Sequence, residues 1–262
     1  MALKNFCYNP DKKSVLGRTA KSWLLIFVFY LIFFSLLICF FMGMMSVFMY
    51  SYIKVDIPSL TGKQSLLRLS PGITALPRIR IEDSFIQLTK RAGSSRNTDY
   101  LNAINNFLLI YENQDVQTCN NPLDANERSC KFNTNSLGNC KNPAEALSKM
   151  NPCFYLKLNK IYGWIPDYKN ETKKITVTCT GLNPLDTQLL GKPVYYPSAG
   201  GDGGEIPSVF FPYLGRKDYQ PPIVAVQFPE MKKNVLIIVE CSLHNVAVDE
   251  EMKVSFEIAF DT

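Results

Sequence analysis

The chain has 262 residues, of which 28 are Lys or Arg and 23 are Asp or Glu, giving a formal charge of +5 at pH 7. Among the first 22 residues Lys4, Lys12, Lys13, Arg18 and Lys21 face only Asp11, so +4 of that charge belongs to the N-terminal tail and +1 to everything after it. A remainder so close to neutral argues against a basic binding face, and no nucleic acid is expected as a partner.

The tail is too short and too polar to fold alone. Its last residues, LGRT at 16–19 ahead of Ser22, suit a short helix lying along a membrane surface, with Trp23 as an anchor at the interface. From Trp23 to Ile53 no charged residue occurs, and an uninterrupted apolar run well beyond about 18 residues is long enough to cross a bilayer. A cleaved signal peptide would have an apolar region of only about 7–15 residues followed by a small-residue cleavage site, so the segment reads as an uncleaved signal anchor. The basic flank places residues 1–22 in the cytosol and residues 54–262 outside, a single-pass type II arrangement.

Within the span, helical spacing puts Trp23, Phe27, Tyr30, Phe34, Phe41 and Phe48 on one face and Ser35, Cys39, Gly43 and Ser46 nearly opposite. Small residues let a neighbouring helix approach closely, and an aromatic ridge can fill a neighbour's grooves. Either face can equally meet lipid.

Residues 54–76 read as an irregular stalk, broken by Pro58, Gly62, Pro71 and Gly72. Arg78–Ile81 alternates like a strand. Tyr100, Leu101, Ile104, Phe107, Leu108 and Tyr111 recur at helical spacing behind the capping candidates Asn97, Thr98 and Asp99, which predicts an amphipathic helix over 98–111. The stretch 119–152 is rich in Asn, Pro and Ser and reads as loops. Strand-like runs follow at 154–158, 174–179, 223–228, 235–241 and 254–260. Several strands with few helical patterns point to a β-sandwich.

Cys119, Cys130, Cys140, Cys153, Cys179 and Cys241 all follow the span, where an oxidising compartment favours three disulfides. Short loops close most easily, which favours Cys119 with Cys130 and Cys140 with Cys153 and leaves Cys179 with Cys241; sequence alone leaves other pairings open. Chain entropy assigns about 3 kcal/mol to each short loop and about 4 kcal/mol to the long one. Cys7 and Cys39 are left unpaired. A zinc site is disfavoured because no CxxC occurs and His244 is the single histidine.

Little here resembles an active site. A lone His244, a glycine run at 200–204 without the lysine and strand-to-helix setting of a phosphate cradle, and an acidic turn at Asp249–Glu251 form no catalytic set. Anchored sugar transferases commonly hold a metal with a DxD pair, and none is present. No enzyme activity, metal or cofactor is expected.

Ordered motifs along the whole chain carry one resemblance: LGRT at 16–19 with SW at 22–23, the aromatic span with Gly43, PGIT at 71–74, PCFYLKLN at 152–159 with Gly163 and Pro166, FFPYLG at 210–215, YQP at 219–221, AVQF at 225–228 and VEC at 239–241. The chain resembles the β subunits of the sodium/potassium-transporting and proton/potassium-transporting P-type ATPases. The resemblance implies a plasma-membrane, non-catalytic subunit with an immunoglobulin-like ectodomain, a flanking helix and three disulfides paired in sequence order. It implies a catalytic α subunit as partner, for whose folding, export and potassium handling the β chain is needed, and it admits a small single-span regulatory subunit and membrane lipid as further partners. Tyr30 and Phe34, with Gly43 in the same span, would pack on the α subunit in the membrane; Phe210, Phe211, Tyr213 and Leu214 would meet an extracellular loop of the α subunit. The 119–130 loop is short for the family, the stalk diverges, and FFPYLGR stands where tyrosines and a lysine are common, which leaves the sodium and proton branches both open. An autonomous adhesion or receptor ectodomain is the alternative from another class.

Asn170-Glu171-Thr172 is the single N-glycosylation triplet. Protein made in secretory cells is expected to migrate faster after glycosidase treatment. An unchanged band would refute either the use of Asn170 or the export of residues 54–262.

Overall fold

The computed structural model describes residues 8–9, 14–16, 18–55, 57–61, 71–78, 85–91, 93–112, 116–119, 124–169, 174–200, 203–247 and 253–262. They fall into two compact units, Met1–Ser59 and Leu60–Thr262. Asn170, Cys7 and Ile79–Ile81 lie outside the described residues.

In the first unit a small antiparallel ribbon, β1 (Tyr8–Asn9), β2 (Ser14–Val15) and β3 (Arg18–Thr19), leads into helix α1 (Ala20–Tyr52). The surface helix expected over 16–19 does not form. Leu16 has φ 50°, a left-handed conformation that a right-handed helix cannot contain, and Arg18–Thr19 are extended. The indole N–H of Trp23 instead donates to the Val15 carbonyl at 2.9 Å, folding the ribbon back against the first turn of α1. At 33 residues the helix is about 50 Å long, against a hydrocarbon core of about 30 Å. None of its side chains is buried.

The second unit is built on two sheets. One is four-stranded and antiparallel, in the order β4 (Ile73–Leu76), β6 (Cys153–Leu158), β10 (Ile223–Gln227), β8 (Val194–Tyr196). The other is five-stranded, in the order β5 (Phe85–Thr89), β12 (Lys253–Asp261), β11 (Ile237–His244), β7 (Lys174–Gly181), β9 (Gly204–Pro207), with only the β5–β12 pair parallel. The inner faces meet through Phe154 of β6, whose ring lies 5.5 Å from Phe256 of β12. They also meet at Gly204 of β9, where a Cβ would fall 2.1 Å from Val224 of β10.

Strand β4 corrects the expected stalk, because Ile73 and Ala75 turn inward and join the core while Thr74 and Leu76 stay half-buried. Strands β5, β8 and β9 lie outside the expected runs, because each is short and β9 opens on glycine. The expected helix is α2 (Ser95–Leu108), extended by a 3-10 turn at Leu109–Glu112, with Tyr100, Ile104 and Tyr111 buried. Its N-cap is Ser94. Asn97 serves another end, accepting from the Thr89 N–H at 3.1 Å and donating to the Thr89 carbonyl at 2.7 Å, which ties the helix to β5.

The stretch expected to be loops contains α3 (Asp124–Glu127), a 3-10 segment at Thr134–Lys141 and α4 (Pro143–Ser148). Helix α4 and helix α5 (Pro184–Leu190) share one local signature, an asparagine cap followed by proline in the first turn. The side chain of Asn183 accepts from the Asp186 N–H at 2.8 Å.

The structure pairs Cys119 with Cys130, Cys140 with Cys153 and Cys179 with Cys241. Cys179 and Cys241 are directly opposite residues of β7 and β11, with Cα atoms 4.0 Å apart. The bond therefore joins neighbours within one sheet, unlike the inter-sheet bond of antibody domains.

Helix α2 covers the outer face of the four-stranded sheet through Tyr100, whose hydroxyl donates to the Cys153 carbonyl at 2.7 Å and accepts from the Cys153 N–H at 2.9 Å. Tyr100→Phe strands both backbone groups in a buried site. It is expected to cost about 1–3 kcal/mol, read as a fall in the thermal midpoint of the purified chain of about 2–4 °C per kcal/mol. An unchanged midpoint would show that this hydroxyl does not hold the helix layer.

Candidate partner-binding surfaces

Two groups of residues stand apart from the core, one on each unit. On α1, Tyr30 and Phe34 are one turn apart with rings stacked 6.0 Å centre to centre, and Phe29 and Phe33 stack beside them at 6.3 Å. Edge-to-face contacts of Phe29 with Tyr30 and of Phe33 with Phe34 join the two stacks into one ridge. Tyr30 is 51 % and Phe34 52 % exposed, so the ridge is uncovered. A Cβ added at Gly43 would meet nothing within 4 Å, and Ser46 turns its hydroxyl back onto the Met42 carbonyl at 2.7 Å. That face is smooth and offers no free hydroxyl at Ser46.

On the second unit the run 210–214 divides. Phe210 and Phe211 are only 5 % and 7 % exposed and belong to the core, which corrects their expected place on the contact surface. Phe210 leans on Phe132 at 5.9 Å, and Phe211 meets Trp164 edge-on at 5.3 Å. Two bulky rings side by side in a β domain gain more from filling that space than from remaining in water. Tyr213 and Leu214, just beyond the cis Phe211–Pro212 peptide, are partly exposed.

Tyr213 is held at both its backbone and its ring. Its carbonyl accepts from the Gly163 N–H at 2.8 Å, and its ring packs 4.8 Å from Tyr219. Lys160 Nζ lies over both rings, at 5.3 Å and 5.5 Å. Tyr219 donates its hydroxyl to the Phe210 carbonyl at 3.2 Å; burial, and then the neighbouring Tyr213, push its pKa above the ordinary tyrosine value. Tyr111 donates to the Pro221 carbonyl at 2.7 Å and is shifted the same way, by burial and then by Tyr219. Both phenols stay neutral at physiological pH.

The residue that fixes this loop is Gln220, which is fully buried. Its side-chain oxygen accepts from the Phe132 N–H at 2.8 Å, and its amide nitrogen donates to the Ile110 carbonyl at 3.1 Å. Ser129 adds a bond to Asp218 at 2.8 Å. The loop is thereby tied to the end of the α2 region and to residues 129–132 beside the Cys119–Cys130 bond. Gln220 stood in a recognised motif, but its role depends on two residues about 90 and 110 positions away, a relation no local pattern carries.

The other sequence candidates resolve into structure. Gly203 and Gly204 lie at β9, where side chains would strike Thr176 and Val224. His244 Nε2 is within hydrogen-bond distance of the hydroxyls of Thr178 (2.7 Å) and Ser242 (3.1 Å), so the imidazole is a polar clip between β7 and β11. Among the described residues no three His, Cys, Asp or Glu side chains are grouped to hold a metal.

A family profile described as "Sodium / potassium ATPase beta chain" matches residues 1–259. The chain belongs to that family. It is 30 % identical to the probable sodium/potassium-transporting ATPase subunit beta-3 of Caenorhabditis briggsae, covering 95 % of this chain and 82 % of that one. It is 29 % identical to human subunit beta-2, covering 98 % and 92 %, and 28 % identical to Drosophila melanogaster subunit beta-2, covering 92 % and 84 %. Among the described residues one helix is long and apolar enough to cross a membrane, and its place ahead of a β domain makes this family member a single-pass membrane protein.

Gln220→Ala removes the partner of two buried backbone groups. It is expected to cost about 1–3 kcal/mol and to speed amide exchange at Phe132 and across 210–219. Tyr213→Ala and Leu214→Ala, at partly exposed positions, are expected to change stability by less than about 1 kcal/mol. The reverse order would place the structural burden on Tyr213 and Leu214.

Proposed function

We propose that this chain is the non-catalytic β subunit that assembles with the catalytic α subunit of a sodium/potassium-transporting ATPase. In this role it supports the folding and delivery of the α subunit to the plasma membrane and adjusts its handling of potassium. The observation that carries the reading is the family match along essentially the whole chain, 1–259, with relatives named as β subunits of that ATPase.

Residues 1–22 are then the cytoplasmic tail, 23–53 the signal anchor and 54–262 the extracellular domain, with its stalk ending where β4 begins. The basic residues before Trp23 support this orientation. In the membrane the ridge at Tyr30 and Phe34 packs against the α subunit. The smoother face at Gly43 is open to a further helix, such as a small single-span regulatory subunit, and lipid covers the rest. Outside, Tyr213 and Leu214 meet an exposed loop of the α subunit, with Phe210 and Phe211 as the packed floor beneath them.

Co-expression with a sodium/potassium-transporting ATPase α subunit and purification in mild detergent tests the reading. The full-length chain is expected to carry the α subunit with it, and Tyr30→Ala with Phe34→Ala, or Tyr213→Ala with Leu214→Ala, to lower that recovery several-fold. The potassium dependence of ATP hydrolysis by the recovered complex is expected to shift with the second pair. A chain recovered alone at full folding yield would instead favour an autonomous adhesion domain.

A further inference from the structure

Strand β5 ends at Thr89 and helix α2 begins at Ser95, and between them Lys90 and Arg91 stand side by side, both exposed. Three other pairs of adjacent basic residues follow the span, at 173–174, 216–217 and 232–233. The fold engages each of them. Lys174 lies in β7 with its ammonium 3.0 Å from Glu205, and Arg216 is half-buried in the loop that Gln220 ties down. The Lys232 N–H donates to the Leu189 carbonyl at 2.8 Å, and half-buried Lys233 lies over the Phe260 ring. Lys90 and Arg91 make no ion pair among the described residues, and of the four pairs only theirs has arginine second. A lysine followed by arginine suits a cleft lined with carboxylates, which grips the guanidinium through two parallel hydrogen bonds and the ammonium through another.

The backbone around this pair can leave the surface at little cost. No described residue of 90–99 is buried, the first buried side chain of α2 being Tyr100. Ser94, the N-cap, makes no side-chain hydrogen bond to the helix, so its first turn lacks that support. Beyond the Lys90 N–H, which donates to the Asp261 carbonyl at 2.9 Å, the main tie is Asn97, bonded to both backbone groups of Thr89 and to the Arg91 carbonyl at 3.4 Å. A segment without core contacts and with one side-chain latch opens long before the domain unfolds. A cut after Arg91 would also cross no disulfide loop, because the three bonds all lie beyond it. Residues 1–91 would then hold the rest only through the β4–β6 and β5–β12 pairings and the burial of Ile73, Ala75, Ile86 and Leu88. We propose that Lys90-Arg91 is a processing site for an extracellular or secretory-pathway serine endoprotease specific for paired basic residues. Water adds across the Arg91–Ala92 peptide bond, its oxygen entering the new Arg91 carboxylate and a hydrogen going to the freed amine of Ala92. Cleavage turns a covalent membrane anchor into one made of strand pairing, from which the domain can be released. This rests on the extracellular placement of 54–262 in the β-subunit reading.

The test treats the full-length chain, purified in mild detergent, with a serine endoprotease of paired-basic specificity and identifies new N-termini by mass spectrometry. The first to form is expected at Ala92, with the two fragments staying together in native detergent and separating in sodium dodecyl sulfate without reductant. Arg91→Ala is expected to slow this cut at least about tenfold, with Arg91→Lys between it and wild type. Lys232→Ala is expected to leave it unchanged, and Asn97→Ala, which opens the latch, to speed it several-fold. An unchanged thermal midpoint for Arg91→Ala shows that its resistance is local. A first cut elsewhere, a rate indifferent to Arg91→Ala, or fragments that separate only after reduction would overturn the proposal. A second arm co-expresses the chain and the protease in secretory cells and reads the Asn170 glycan beside the Ala92 terminus. Glycosylated chain bearing that terminus is the expected product. Glycosylated chain left uncut overturns the processing site alone, whereas chain with neither glycan nor cut shows that the domain is not exported, and the β-subunit topology fails together with this proposal.

Discussion

Strands β6 and β10 are buried on both faces, and that constraint organises the domain around them. A sheet with only one covered face would alternate apolar and polar residues. Here the inward set, Phe154, Leu156 and Leu158, meets the other sheet, while Cys153 and Tyr155 need a second cover. That cover is α2 with the 3-10 turn after it and the 3-10 segment Thr134–Lys141, and it is joined to the sheet by tyrosines rather than by aliphatic packing alone. Tyr100 satisfies both backbone groups of Cys153, Tyr155 donates to the Cys140 carbonyl at 2.6 Å, and Tyr111 reaches Pro221. Each hydroxyl converts a buried carbonyl, costly when unpaired, into a fixed attachment point. The last of these bonds lands on the loop that carries Tyr213, so the geometry of the candidate surface is inherited from the requirement to cover β6.

The three disulfides serve different levels of this arrangement. Cys179–Cys241 joins strands that are already hydrogen-bonded in register, and through its 62-residue separation it acts mainly on the unfolded chain. Cys140–Cys153 fastens the cover layer to the first residue of β6, beside the Tyr100 bonds. Cys119–Cys130 closes a loop that contains the short helix α3, and the residues just after it supply Phe132 to Phe210 and to Gln220. The bond farthest from the sheets in its organisation is thus the one most closely tied to the exposed aromatic loop.

How much of this was legible beforehand follows from the range of each interaction. The long apolar helix, the amphipathic face of α2 and the β-branched strands are written in local periodicity, and the structure departs from them only at their ends. The ribbon before α1 was not legible because it depends on one left-handed residue, Leu16, and on an indole bond eight residues away. Strand β4 was hidden inside a segment with helix-breaking residues; its place is set by pairing with β6, about 80 residues later. The caps at Asn142 and Asn183, each followed by proline, were local signals that could have been read. At the candidate surface the aromatic run was visible, but its division into a buried half and an exposed half was not. That division comes from Phe132 and Trp164, which arrive from other parts of the chain.

The two candidate contacts work in different solvents and therefore rest on different forces. Inside a bilayer an aromatic ridge gains nothing from leaving its surroundings, since lipid is as apolar as the partner helix; association there depends on close packing, which rewards a rigid, preformed shape. The stacking of Tyr30 on Phe34 and of Phe29 on Phe33 supplies that shape in the isolated helix. Outside, water is the competitor, so covering Tyr213 and Leu214 is itself favourable. A contact driven by the release of water suits the domain, and a packing-driven contact suits the helix. Each is weak in the other's medium, which gives the chain a reason to carry both.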